Sequence, residues 1–183
     1  MDDIPLSPEA QALADATLPA IQEILDRAAK TPVSILVWGP DPDGANSVAA
    51  VRKELRRRLR KDGHAAYYSE ELYDKTSKHS PRIQQIAQAQ KFDLVLSVPD
   101  SPGSIGEVHD FAGDRRVSAK MLIFINVDYL EGYSAKSLIA LESLRTCTVI
   151  KYDGSAGYDQ IYEIADREVQ SVRETKFILG GVI

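Results

Sequence analysis

The chain has 183 residues and a mass of 20.2 kDa, and 22 basic against 27 acidic residues give a net charge of −5. A hydrophobic share of 44% and a charged share of 27% exclude a mainly disordered chain, and the acidic balance disfavours a nucleic-acid partner. A single cysteine, Cys147, rules out an internal disulfide, and three scattered histidines build no common zinc site.

No apolar run reaches the roughly 18 residues that span a bilayer. The start, Met1-Asp2-Asp3-Ile4, lacks the basic and apolar regions of a secretory signal. The expectation is a cytoplasmic protein with no membrane partner.

Residues 1–30 read as a helical arm. Ser7-Pro8-Glu9 is a helix start: a capping hydroxyl, a proline in the first turn, then an acid near the positive end. Leu13, Leu18, Ile21 and Leu25 make an apolar stripe, Pro19 is expected to kink or split the helix, and Lys30-Thr31-Pro32 ends it.

Residues 31–176 alternate strand and helix. Val33 to Trp38 is an apolar, β-rich run bounded by Gly39-Pro40, and so a buried strand. Residues 46–62 form a helix with Val48, Val51, Leu55 and Leu59 inward and Gly63 just past its end. This helix carries seven basic residues, from Arg52 to Lys61, against one acid, Glu54, and reads as a solvated face. Strands follow at His64–Tyr68, Phe92–Val98, Met121–Val127 and Cys147–Tyr152. The helices between and after them span 81–90, 105–112, 134–145 and about 158–175. Residues 177–183 are an apolar tail that can pack on the domain or on a second subunit, so a homo-oligomer is expected.

This alternation predicts an α/β fold. Its five-stranded parallel sheet has the order 2-1-3-4-5, in a flavodoxin- or Rossmann-like three-layer sandwich. Ligands of such sheets sit beyond the carboxyl ends of the strands near the switch point. That rule selects the loops Trp38–Asn46, Pro99–Ser104 and Asn126–Tyr133.

The first loop, Gly39-Pro40-Asp41-Pro42-Asp43-Gly44, is not a Walker loop. Asp41 is suited to ribose hydroxyls or a base amine, and Trp38 either stacks on a base or fills the core. Tyr67 to Glu71, after the second strand, is a candidate wall of the same crevice.

The loop after the third strand reads Asp100-Ser101-Pro102-Gly103-Ser104-Ile105-Gly106-Glu107. A carboxylate at the crevice can attack an electrophilic sugar carbon, the logic of retaining glycoside hydrolysis. Ser104-x-x-Glu107 is equally the pattern of a capping box, in which the two side chains only satisfy backbone amides.

The run D-S-P-G-S-x-x-E from Asp100 to Glu107 resembles the signature of the nucleoside 2-deoxyribosyltransferase-like superfamily. Ile35 to Pro40, followed by a long helix, resembles that family's first strand and base-binding loop. The resemblance implies a similar five-stranded fold and an N-glycosidic-bond hydrolase or transferase acting on a nucleoside or nucleotide, without metal or redox cofactor. It implies Glu107 as nucleophile and Asp100, seven positions upstream, as an aid to the base, with Ser101 in the nearer place. Trp38, Gly39, Pro40 and Asp41, the turn residues Ser101, Gly103 and Ser104, and Asn126 at the end of the fourth strand are the implied substrate contacts. Relatives with a Pro-Gly-Ser/Thr-x-x-Glu turn occur in bacterial anti-phage systems, as nucleotide-degrading effectors or nucleotide sensors. A nucleotide-sensing module without turnover, or a flavodoxin- or Toll/interleukin-receptor-like interaction domain, fits the same pattern.

Overall fold

The computed structural model describes residues 5–144 and 146–180. The chain start and the last three residues of the apolar tail, 181–183, lie outside the described residues. Five strands, β1 (Ser34–Trp38), β2 (Ala65–Tyr68), β3 (Leu94–Ser97), β4 (Met121–Asn126) and β5 (Thr148–Tyr152), form one sheet in the order β2-β1-β3-β4-β5. Every pairing is parallel. This is the expected order, with β1 and β3 side by side at its centre.

The helices are α1 (Pro8–Ala29), α2 (Ser47–Lys61), α3 (Pro81–Lys91), α4 (Pro102–Ala112), α5 (Tyr133–Ser143) and α6 (Asp159–Ile178). Alternate strand residues feed two cores. Ile35 and Val37 meet Val51, Leu55 and Leu59 of α2 and Ile161, Ala165 and Val169 of α6. Leu36 and Trp38 meet Ala89 of α3, Ile105, Val108 and Phe111 of α4, and Leu138 of α5. The inner strands β1, β3 and β4 are buried on both faces, which is why they read as continuous apolar runs. The edge strands β2 and β5 interleave buried and exposed residues.

Element ends differ from expectation by up to three residues, and three differences matter most. Helix α1 runs unbroken through Pro19, because an exposed helix lets water hydrate the carbonyl that proline leaves unbonded. Helix α6 extends to Ile178 and takes in the first residues of the expected tail. Helix α4 begins at Pro102, three residues earlier than expected, and this shift decides the reading of the site.

Candidate functional site

Beyond the carboxyl ends of β1 and β3 lies a cavity of about 80 Å³, within a depression of about 450 Å³ that opens to solvent. Its wall includes Trp38 at the end of β1 and Gly39 after it, Ser69 and Glu70 after β2, Ser97 at the end of β3 and Pro99 beyond it, and Ser104, Glu107, Val108 and Phe111 of α4. The spacing of the last four explains their shared face: they recur at intervals of three and four along one side of a helix.

Helix α4 is capped by Ser101. Its hydroxyl accepts from the Ser104 amide at 3.2 Å, while the Ser104 hydroxyl takes the amides of Ser101 at 3.0 Å and Asp100 at 3.1 Å. The capping box is therefore Ser101 with Ser104, and the Ser104–Glu107 box is not formed. Pro102 explains the difference: its fixed φ and missing N–H suit the first helical position, so the helix starts there. Glu107 then stands in the second turn, where a capping role has no backbone amide to serve. Its side chain is exposed at the cavity and makes no hydrogen bond or ion pair among the described residues.

Gly39 sits at φ +153° and lies against the end of β3: a Cβ there would stand 2.9 Å from the Val98 carbonyl oxygen and 3.2 Å from Cδ of Arg52. Only glycine fits without moving backbone. Gly39→Ala is therefore expected to cost about 1–3 kcal/mol, read as a lowered midpoint in thermal unfolding.

Arg52 departs from the expected solvated basic face of α2: it is wholly buried. All five of its N–H groups are used. Nε and Nη2 donate to the Val37 carbonyl at 3.2 and 2.8 Å, Nη1 to the Pro40 carbonyl at 2.6 Å, and both Nη atoms to the Glu70 carboxylate at 2.9 and 2.7 Å. Burial pushes the Glu70 carboxyl up, but the Arg52 hydrogen bonds and a backbone amide outweigh it and hold its pKa below the usual value. Arg52 thus ties the loop after β1 and the turn after β2 to the sheet. The signal was present: position 52 is four residues past Val48 and three before Leu55, on the inward stripe of α2.

The cavity gathers Trp38, Gly39, Ser104 and Glu107 from the expected set. Pro40 acts through the carbonyl that holds Arg52. The others lie elsewhere. The Asp100 carboxylate accepts from Asn46 Nδ2 at 2.8 Å and its carbonyl from the Tyr129 hydroxyl at 2.8 Å, so it rivets the starts of α2 and α4 to the turn after β4. Asp41 closes a local turn by accepting the Asp43 amide at 3.0 Å, and lines a separate, larger groove of about 960 Å³ with Lys53, Arg56 and Arg60. Asn126 accepts the Asp128 amide at 3.2 Å. Gly103 is exposed in the first turn of α4, beyond the cavity wall.

The remaining basic residues of α2 are largely paired. Arg56 meets Glu71 at 2.7 Å, Arg57 and Arg58 meet Glu54 at 2.6 and 2.9 Å, and Lys53 meets Asp43 at 3.3 Å. Among the described residues no three His, Cys, Asp or Glu side chains converge as a metal-ligand set, and no helix is long and apolar enough to cross a membrane.

No protein-family model and no curated protein matches this chain. The geometry of the cavity therefore carries the functional argument.

Proposed function

We propose that the chain breaks the N-glycosidic bond of a nucleoside or nucleotide in the cavity between β1, β3 and α4, with Glu107 as the nucleophile. One observation carries this reading: Glu107 lines the cavity, free of the capping role that would otherwise explain it. The resemblance of the Asp100–Glu107 run to the deoxyribosyltransferase-like signature supports it.

In the proposed reaction a Glu107 oxygen attacks the anomeric carbon of the sugar. The carbon–nitrogen bond breaks, its electron pair leaves with the base, and a glycosyl ester forms on Glu107. Water or a second base then attacks the same carbon and frees the carboxylate. Arg52 and the Gly39 turn hold the walls in place, which is the positioning share of catalysis.

The test is incubation of the full chain with nucleosides, nucleotides and NAD, followed by chromatography for free base. Free base from the parent protein supports the reading. The position of Asp100 favours a second one, a nucleotide-sensing module without turnover: its carboxylate is engaged by Asn46 and by the Ser104 hydroxyl and does not line the cavity, so it is not at hand to protonate a departing base. Binding without release would select the sensor.

A homo-oligomer acting in the cytoplasm completes the proposal. Helix α1 has no buried residue, and Leu13, Leu18, Ile21, Ile24 and Leu25 share one open apolar side. Its polar side carries Asp15, Glu23 and Asp26, unlike the Lys/Arg-rich faces that seek anionic membranes. The expected partner is a second copy of the chain. Leu13→Glu with Ile24→Glu should turn a dimer into a monomer in sedimentation, while shifting the unfolding free energy of the monomer by less than about 1 kcal/mol.

A further inference from the structure

We infer that Trp38 and Ser97 form a donor pair that recognises a base by its ring carbonyl, with an oxo-pyrimidine such as uracil as the fitting class. The recognition stands on cavity geometry alone; its catalytic consequence rests on the glycosidic-bond reading above.

The two residues are register partners on adjacent parallel strands, Trp38 at the end of β1 and Ser97 at the end of β3. Neighbouring strands lie about 4.8 Å apart, and register partners point to the same face, here the one covered by α4. Both residues line the cavity. Trp38 Nε1 and Ser97 Oγ are both buried, and neither has a hydrogen-bond partner among the described residues. Buried polar groups almost always find partners, so two neighbouring orphans on one cavity wall call for a ligand atom. The indole packs against Phe111, at 4.8 Å between ring centroids.

The chemistry of that atom follows from the donors. An indole N–H only donates, so its partner must accept. The accepting group is neutral, because the Glu107 carboxylate, unpaired among the described residues, lines the same cavity and repels a phosphate. The Arg52–Glu70 ion pair adds no pull on an anion, since its charges cancel and its N–H groups are already committed. A ring carbonyl meets both conditions, and about 80 Å³ seats one ring more readily than a fused pair.

The same pair serves the reaction. When the carbon–nitrogen bond breaks, the electron pair goes to the ring nitrogen. In an oxo base that charge spreads onto the carbonyl oxygen, where Trp38 and Ser97 donate. A proton from water then neutralises the freed base. Adenine has no ring oxygen and gains nothing from the pair.

Trp38 is the only tryptophan, so the ¹⁵N-labelled full chain gives one indole N–H resonance. Titration with uridine should move that resonance downfield, with affinity at least ten times that for adenosine. Ser97→Ala should weaken uridine binding roughly five- to tenfold, the scale of one neutral hydrogen bond, without lowering the unfolding midpoint, because it removes an unsatisfied hydroxyl. An indole resonance unmoved by saturating uridine, or equal affinity for adenosine, would overturn the inference. So would binding of neither nucleoside. Base release measured on the same samples separates the two proposals. An indole shift without release leaves the donor pair standing and removes the catalytic reading. Equal release from both nucleosides, with the indole resonance still, does the reverse.

Discussion

Glu107→Gln is expected to fold as the parent does and to release base at a rate lower by at least about 10²–10⁴-fold, the range spanned when a directly participating group is removed. The two halves of this expectation have separate causes. Stability is spared because Glu107 is exposed and holds no hydrogen bond or ion pair among the described residues, so the change should stay within about 0.5 kcal/mol. Activity is lost because a neutral amide is too weak a nucleophile to form the glycosyl ester. Ser104→Ala is the matching control. The Ser104 hydroxyl takes two backbone amides at the start of α4, so its loss should cost about 0.5–2 kcal/mol. Activity should fall less steeply, through looser placement of Glu107 one turn further on. A melting curve and a base-release assay on the three proteins decide the matter. Full activity in a stable Glu107→Gln protein would end the catalytic reading and leave the sensor or interaction reading in its place.

The sheet order was legible because every strand announces itself locally. Ile35 to Trp38 and Met121 to Ile125 are apolar without a break, and in a sheet covered on both faces all of them are buried. The start of α4 was legible in principle. Ser7-Pro8, Ser80-Pro81 and Ser101-Pro102 carry the same signal, a capping serine followed by a proline in the first turn, and each opens a helix. At the third position the Ser-x-x-Glu pattern competed with it, and the proline won because its missing N–H costs least at a helix start. The site was only half legible. Strand ends select loops, so Gly39 and Glu107 could be paired in advance. Which side of the sheet the cavity opens on depends on how α3 and α4 pack, and no local pattern shows that. Asp100 illustrates the limit: it leaves the right strand, yet Asn46, Tyr129 and Ser104 take up its oxygens and it does not line the cavity.

Arg52→Met should lower stability by roughly 3 kcal/mol, at the lower end of the range for breaking a buried ion pair because the Glu70 side chain remains partly open to water. For a chain of this length that is a fall in midpoint of roughly 6–12 °C. Methionine keeps much of the apolar stem and supplies none of the five N–H groups. The Val37 and Pro40 carbonyls lose the donors that bind loop to sheet, and the Glu70 carboxylate loses its counter-ion. Arg52→Lys should recover little, since one ammonium cannot reach two carbonyls and grip a carboxylate with a planar fork at once. The informative protein is the double variant Arg52→Met with Glu70→Leu. Removing both charges leaves no unpaired carboxylate of Glu70 at the cavity, so part of the lost stability should return. Base release should not return with it, because the turns at Gly39-Pro40 and Ser69-Glu70 would still lack the guanidinium that spans them. Stability and activity would then separate in one cycle, which is the mark of a residue that positions the site. If activity tracks stability through all four proteins, Arg52 supports the fold alone, and the walls of the cavity are held by the packing of Trp38 on Phe111.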